Sequence, residues 1–249
     1  MRNMESYIKQ GDCLDLMSEL PNNCIDMILC DLPYGKTSMV WDTIIPFDKL
    51  WEQYIRVTKS NASIILFSSG LFTIDLILSN KELYKYKLIW HKNVPTGMSS
   101  AKYRPMKYYE EICVFQKGKP VYNPIMKLRI GNKKECYNYN HYCGKSNHIQ
   151  LDQIKYKYDP NYVQPSDVLD FKVVPNRNGK LHPTQKPVDL CEYLIKTYTN
   201  EDEIVLDNCM GSGTTCVAAI NTNRKYIGFE LNQNYFNIAK NRIEEATNG

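Results

Sequence analysis

Two short polar segments each follow an apolar run that is typical of a β-strand. Asp31-Leu32-Pro33-Tyr34 follows Ile25–Cys30 near the start of the chain, and a Gly-bearing segment follows Ile204–Leu206 near its end. In open α/β sheets, ligands bind where the strands end in such loops. The pattern predicts that these two loops line one site. In that site an adenosine-bearing cofactor would react with a flat group that carries an amine.

The later segment reads Asp207-Asn208-Cys209-Met210-Gly211-Ser212-Gly213-Thr214-Thr215. Gly211 and Gly213 allow a tight turn and a close approach of the backbone to a ligand, and a helical pattern begins at Thr214. Glu230 ends the next apolar run, Tyr226–Glu230. An acid at that strand end can accept hydrogen bonds from both hydroxyls of a ribose.

Two cofactors compete for this arrangement. A nicotinamide dinucleotide site favours a third glycine at position 216, where this chain has Cys216. Asp207, which precedes the glycines, suits a ligand with an ammonium and a sulfonium better than a pyrophosphate. The sequence therefore favours S-adenosylmethionine over the dinucleotide.

The earlier segment pairs a carboxylate with a rigid turn and an aromatic ring. The Asp31 carboxylate and a backbone carbonyl of the Leu32-Pro33 turn can accept the N–H groups of an aromatic amine, which directs its lone pair at a methyl donor. Pro33 fixes the turn. The ring face of Tyr34, rather than its hydroxyl, is expected to stack on an extruded base. The same tetrapeptide also suits a purely structural turn, so this interpretation depends on the cofactor loop.

Strand-like runs alternate with helical patterns along most of the chain. Strands are predicted at 25–31, 62–69, 85–91, 111–116, 204–207 and 226–230, and helices at 48–59, 187–198 and 234–246. Such alternation predicts an α/β fold with a doubly wound, mostly parallel sheet.

Residues 118–180 interrupt this alternation. The segment is rich in proline, asparagine and lysine, and seven tyrosines lie between Tyr122 and Tyr162. These aromatics can stack on bases or can form a small aromatic core. The spacings within Cys136, His141, Cys143 and His148 are not usual for zinc, so no metal site is expected.

Charge and composition agree with a nucleic-acid partner. The 249 residues carry a net charge of +4, but residues 81–135 hold thirteen basic and four acidic residues. Such a basic region suits phosphate-backbone binding or a lysine-rich surface. The nine scattered cysteines are typical of reduced core thiols. The polar N-terminus and the lack of a long apolar run predict a cytoplasmic protein that does not cross a membrane.

Taken together, these motifs resemble those of the DNA amino-methyltransferases, specifically the β class, in which an Asp-Pro-Pro-Tyr motif precedes the Gly-rich one. Gly11-Asp12 is similar to the family's adenine-contacting motif, and Leu181-His182-Pro183-Thr184-Gln185-Lys186-Pro187 is similar to its segment near the methionine end of the cofactor. The resemblance implies a Rossmann-like methyltransferase core at 1–117 and 181–249. It also implies an inserted target-recognition region at 118–180.

The resemblance also implies roles for individual residues. These are, for catalysis, Asp31, Leu32, Pro33 and Tyr34; for the cofactor, Asp12, Cys13, Asp31, His182, Thr184, Lys186, Asp207, Gly211, Ser212, Gly213, Thr214, Thr215 and Glu230; and for the substrate, Tyr34, Lys36, Trp41, Lys92, Lys102 and Arg104. Leu32 replaces the family's first proline, and Asn208-Cys209 replaces its usual Pro-Phe.

The implied activity is transfer of a methyl group from S-adenosylmethionine to N6 of adenine in double-stranded DNA. Asp rather than Ser at position 31 resembles the adenine-specific members. The alternatives are N4-cytosine methylation, protein glutamine methylation, in which the cofactor motif comes first, and a non-catalytic DNA-binding relative of the fold. A second copy of the chain and a cognate restriction endonuclease are further candidate partners.

Overall fold

The computed structural model describes residues 4–35, 43–129, 159, 161–174 and 185–248. The chain divides into two compact units. One comprises Met1–Asn123 with Asp167–Gly249, and the other comprises Pro124–Ser166.

Strands and helices alternate through most of the first unit. The described strands are β1 Tyr7–Gln10, β2 Ile25–Cys30, β3 Thr58–Ser68, β4 Tyr84–Thr96, β5 Lys107–Gln116, β6 Lys127–Leu128, β7 Tyr162–Val163, β8 Val168–Asp170, β9 Ile204–Asp207 and β10 Lys225–Glu230. The described α-helices are α1 Cys13–Ser18, α2 Phe47–Val57, α3 Leu71–Ser79, α4 Val188–Tyr198, α5 Thr214–Asn221 and α6 Gln233–Asn248.

One sheet organises the first unit, in the strand order β1-β10-β9-β2-β3-β5-β4-β8. Strand β5 runs antiparallel to both of its neighbours, and the other described pairings in this sheet are parallel. The predicted doubly wound, mostly parallel α/β fold is confirmed.

The winding of the chain reverses between β9 and β2. From β2 the chain passes through α2 to β3 on one side, and from β9 it passes through α5 to β10 on the other. Tyr54 of α2 packs in the core on one face of the sheet, whereas Ala218 of α5 packs in the core on the opposite face. A crevice therefore opens at the carboxyl ends of β9 and β2, which is where ligands bind in such sheets.

Helix α2 packs on one face of the sheet, next to this crevice. Leu50, Trp51, Tyr54 and Val57 recur at helical spacing and are all buried, and the burial of each such side chain is worth about 1.5–3 kcal/mol. Trp51 packs against Phe115 of β5 with ring centroids 4.8 Å apart. The helix is thereby fixed against the sheet.

Helix α4 begins at Val188, with Pro187 at the N-cap. The sequence predicted that the helix begins at Pro187, one residue before its start in the structure. Leu190, Leu194 and Ile195 are buried against the sheet. Because α4 is fixed in this way, the residue before its cap, Lys186, is held at the crevice.

Some elements of the first unit lacked a clear sequence signal. Helix α3 is apolar around most of its circumference, so no amphipathic pattern marks it, and α1 has only 6 residues. Strand β8 lies inside the segment 118–180 that the sequence assigned to an insertion, but it pairs with β4 in the main sheet. Its 3 residues are too few to show an alternating pattern.

The second unit, Pro124–Ser166, contains the antiparallel pair β6 and β7. The candidate zinc ligands Cys136, His141, Cys143 and His148 lie outside the described residues.

The described part of the chain offers neither a cluster of metal ligands nor a helix that could span a membrane. It contains no cluster of three or more His, Cys, Asp or Glu that could hold a metal ion. None of its helices is long and apolar enough to cross a membrane.

Candidate active site

The two loops predicted to form one site line the same cavity, which has a volume of about 470 Å³. This volume lies within the range of small-molecule sites. The predicted site residues that line it are Asp12, Cys13, Asp31, Leu32, Pro33, Tyr34, Lys186, Asp207, Gly211, Ser212, Thr214, Thr215 and Glu230. Asp31 and Gly211, which are 180 residues apart in the sequence, therefore face one space.

The Gly-rich loop makes the tight turn that the sequence predicted. Gly211 and Gly213 have φ angles of +52° and +77°, a left-handed region that other residues enter at a cost. The N–H of Gly213 donates to the carbonyl of Met210 over 2.7 Å. A Cβ at position 213 would lie 3.0 Å from the Cβ of Ala239 in α6. The lack of a Cβ at Gly213 thus allows the loop to pack closely against α6.

Asp207 ends β9 beneath this loop and is buried. Burial raises its pKa to about 7, although the hydroxyl of Thr215 and the N–H of Cys209 favour the ionised form. The N–H of Cys209 donates to Oδ1 of Asp207 over 3.1 Å. The site therefore holds a carboxyl group that ionises near neutral pH, which suits a cationic ligand.

Glu230 ends β10 at the opposite rim of the loop. Its Oε2 accepts from the N–H of Gly211 over 2.9 Å, and its Oε1 accepts from the N–H of Asn232 over 2.7 Å. Burial raises the pKa of this carboxyl group. A backbone hydrogen bond from Leu231 also favours the ionised form. Because a carboxylate has about four acceptor positions, Glu230 can anchor the loop and still accept from a ribose hydroxyl.

Asp12 and Cys13 lie at the start of α1. Asp12 is the N-cap, and its Oδ1 accepts from the N–H groups of Leu14 and Asp15 over 2.8 and 3.3 Å. The pKa of the Cys13 thiol is raised by its hydrogen bond with Cys209 and by burial. The thiol is therefore protonated at neutral pH, and it offers the cavity a small apolar wall.

Arg242 of α6 supports the Gly-rich loop and was not predicted. Its Nη1 donates to the carbonyl of Ser212 over 2.5 Å, to the hydroxyl of Ser212 over 3.1 Å and to the hydroxyl of Thr214 over 3.3 Å. The sequence offered no signal for this residue, since Arg242 resembles any basic residue on a surface helix.

Asp31 lies where β2 ends, and both of its carboxylate oxygens have partners. The hydroxyl of Tyr34 donates to Oδ1 over 2.7 Å, and the ammonium of Lys186 donates to Oδ2 over 2.5 Å. Burial raises the pKa of Asp31, and the charge of Lys186 opposes that rise. The ring of Tyr34 packs at a centroid distance of 4.7 Å against Phe72.

Lys186 and Lys92 each pair with a carboxylate. Lys186 was expected at the cofactor; it lines the cavity, and its ammonium contacts Asp31 and also Glu110 at 3.5 Å, so its role at the cofactor stays a prediction. Lys92 was expected to contact DNA. The structure corrects that expectation, because Lys92 is only 2% exposed and its ammonium lies 3.0 Å from Glu110.

The remaining candidates fall into two groups. Lys102 and Arg104 are exposed in the connection between β4 and β5. Lys36, Trp41, His182 and Thr184 lie outside the described residues.

Comparisons with known proteins agree on the family. A family model described as DNA methylase (N6_N4_Mtase) matches residues 25–241. The type II methyltransferase M.HpaI of Haemophilus parainfluenzae is 30% identical over 99% of this chain and 76% of its own. The DNA adenine methyltransferase YhdJ of Escherichia coli K12 is 28% identical over 98% of this chain and 85% of its own.

Solved structures show the same fold. The crystal structure of an M1.HpyAVI–SAM complex superposes with a TM-score of 0.63 at 25% identity, over 95% of this chain and 98% of that one. The cytosine-N4-specific PvuII DNA methyltransferase superposes with a TM-score of 0.67 at 16% identity, over 99% of this chain and 91% of that one. The chain therefore belongs to the N6/N4 DNA methylase family, and it is a DNA methyltransferase that uses S-adenosylmethionine.

Proposed function

We propose that this enzyme methylates N6 of adenine at a specific sequence in double-stranded DNA. The observation that carries the proposal is the Asp31 carboxylate, held by Tyr34 and Lys186 at the wall of a cavity that also contains the Gly-rich loop. An aspartate at this motif position resembles the adenine-specific members of the family.

The chemistry needs an amine whose lone pair points at the methyl carbon. The N6 amine donates one N–H to Asp31 and the other to a backbone carbonyl of the Leu32-Pro33 turn, which favours a pyramidal nitrogen. Asp207 would hold the cationic end of S-adenosylmethionine, and Glu230 would accept hydrogen bonds from its ribose hydroxyls. Positioning and electrostatics carry most of the rate.

Methyl transfer is direct, without a covalent enzyme intermediate. The N–CH₃ bond forms as the CH₃–S bond breaks, and its electron pair returns to sulfur. The positive charge moves from sulfur to the amine, which then loses a proton. No strongly basic side chain is required, because the cationic amine is far more acidic than the neutral one.

The DNA contacts follow from exposure and charge. Lys102 and Arg104 are exposed and suit phosphate contacts. We propose Lys36 and Trp41 as further contacts, and a target-recognition region that lies within residues 118–180. A homodimer, a cognate restriction endonuclease and a cytoplasmic location stay predictions from the family resemblance.

Nucleoside analysis tests the proposal. The purified protein is incubated with mixed-sequence duplex DNA and methyl-labelled S-adenosylmethionine, and the DNA is digested and separated by chromatography with mass detection. Label in N6-methyl-2′-deoxyadenosine supports the proposal. Label only in N4-methyl-2′-deoxycytidine, or only in protein, contradicts it.

A further inference from the structure

Four charges of alternating sign form a row at the crevice, and three of them line the cavity, namely Asp31, Lys186 and Glu110. The Nζ of Lys186 lies 2.5 Å from Oδ2 of Asp31 and 3.5 Å from Oε2 of Glu110. The Nζ of Lys92 lies 3.0 Å from Oε1 of Glu110. The order is therefore Asp31, Lys186, Glu110 and Lys92, and the two carboxylates share Lys186 between them.

Both lysines in this row are removed from water. The Lys186 and Lys92 side chains are 9% and 3% exposed, and those of Asp31 and Glu110 are 23% and 22% exposed. The ammonium of Lys186 also lies 5.0 Å from the ring of Phe67. Because buried charges are costly unless they are paired, the four groups hold each other in place.

We infer that Glu110 is a positioning residue for methyl transfer, which shares the Lys186 ammonium and thereby keeps Asp31 available as a strong acceptor for the amine. The inference rests on the proposed function of Asp31. Glu110 lines the same cavity but acts through Lys186, and no motif marked it in the sequence.

Glu110 determines how much negative charge Asp31 presents to its substrate. Without Glu110, Asp31 is the only carboxylate in ion-pair contact with Lys186 among the described residues, so the ammonium neutralises it more fully. A more fully neutralised carboxylate accepts an N–H group less strongly. It also stabilises the positive charge that develops on the amine less well. Lys92 in turn holds Glu110 in the orientation that allows the sharing.

The next residue along β5 provides a matched control. Glu111 pairs with Lys87 at 2.6 Å and accepts from the hydroxyl of Thr73 over 2.9 Å. Successive side chains of a strand point to opposite faces of a sheet. Glu111 is thus a paired carboxylate in the same strand that does not contact Lys186.

Several charged or titratable groups act on Asp31. They are Cys30 and Tyr34 of its own segment, Lys186 before α4, Glu110 of β5, Asp207 of β9 and Cys191 of α4. Glu110 raises the pKa of Asp31. A neutral side chain at position 110 is therefore expected to lower the pKa of Asp31 and to weaken it as an acceptor.

Single-turnover methylation by Glu110→Gln, Glu110→Asp and Glu111→Gln, measured from about pH 5 to pH 9, tests the inference. We expect the Glu110→Gln plateau rate to fall by about tenfold, with the acidic limb of its pH profile displaced to lower pH. The dissociation constant of S-adenosylmethionine, measured by calorimetry, should stay within about threefold of the wild-type value. Glu110→Asp should recover part of the rate, and Glu111→Gln should keep the wild-type profile.

Three results would overturn the inference while leaving the proposed function intact. One is a wild-type rate in Glu110→Gln. Another is an equal loss of rate in Glu110→Gln and Glu111→Gln, which would indicate damage to the strand. The third is a loss of rate in Glu110→Gln with an unchanged acidic limb of the pH profile, which would show that Glu110 does not act through Asp31. A wild-type enzyme that transfers no label to a DNA amine would instead contradict the proposed function itself.

Discussion

The hydroxyl of Tyr34 donates to Oδ1 of Asp31 over 2.7 Å. The sequence suggested only that the tyrosine ring stacks on the target base, and for that role the hydroxyl is dispensable. The structure adds a second role, because a neutral donor at Oδ1 fixes the orientation of the carboxylate without cancelling its charge.

We therefore expect Tyr34→Phe to lower kcat by about tenfold, since a hydrogen bond to a charged group is worth about 1.5–3 kcal/mol. Steady-state kinetics and calorimetry with S-adenosylmethionine measure kcat and cofactor affinity separately. Tyr86→Phe is the control, because the Tyr86 hydroxyl pairs with that of Tyr198 at 3.0 Å, and neither residue lines the cavity. Full activity in Tyr34→Phe would restrict Tyr34 to stacking.

Cofactor affinity should depend on pH through Asp207, whose pKa burial raises to about 7. As the pH rises through 7 the carboxyl ionises, so a cationic ligand binds more tightly. We expect the dissociation constant of S-adenosylmethionine to fall by up to about tenfold between about pH 6 and pH 8. Asp207→Asn should flatten this dependence, and an unchanged slope in that variant would show that another group titrates.

The same ionisation affects stability with the opposite sign. The folded-state pKa of Asp207 is raised, so its contribution to stability is present below the unfolded-state pKa and is lost as the pH rises through about 7. Thermal unfolding of the ligand-free protein should show that wild type loses more stability than Asp207→Asn over this range. Identical pH profiles for both proteins would contradict the raised pKa.

Arg242 should matter for cofactor binding although it lies behind the loop. Its Nη1 contacts Ser212 and Thr214, so Arg242→Ala should loosen the Gly-rich loop and weaken S-adenosylmethionine binding by about tenfold. The control is Lys240→Ala on the same helix, because the Lys240 pair with Glu244 is long, at 3.9 Å, and exposed. Equal affinities in the two variants would show that the loop holds its shape without Arg242.

Two glycines with positive φ angles, Gly97 and Gly213, distinguish the cost of backbone strain from the cost of crowding around an added Cβ. An alanine at Gly213 meets both, since φ is +77° and its Cβ would lie 3.0 Å from that of Ala239. At Gly97, φ is +94° and no atom lies within 4 Å of the added Cβ. We expect Gly97→Ala to cost about 1 kcal/mol and Gly213→Ala about 3 kcal/mol. Denaturant unfolding measures both values, and equal costs would contradict close packing behind Gly213.

The sequence predicted the parts of the site whose signals are local. Asp31 and Gly211 each follow an apolar strand, and the carboxyl ends of parallel strands meet at one edge of a sheet, so their convergence could be foreseen. The partnerships of Glu110 and Arg242 could not, because each depends on a contact between distant segments. The burial of Lys92 could not be predicted either. A count of basic residues does not distinguish a buried, paired lysine from one on a basic surface.

The most direct test of the account is Asp31→Ala, with methyl transfer to DNA and S-adenosylmethionine binding measured on the same preparation. Asp31 is assigned chiefly to the amine and only in a minor part to the cofactor, so we expect methyl transfer to be abolished while the dissociation constant changes by less than about threefold. A variant that still methylates DNA, or one that loses cofactor binding in proportion to activity, would contradict that assignment.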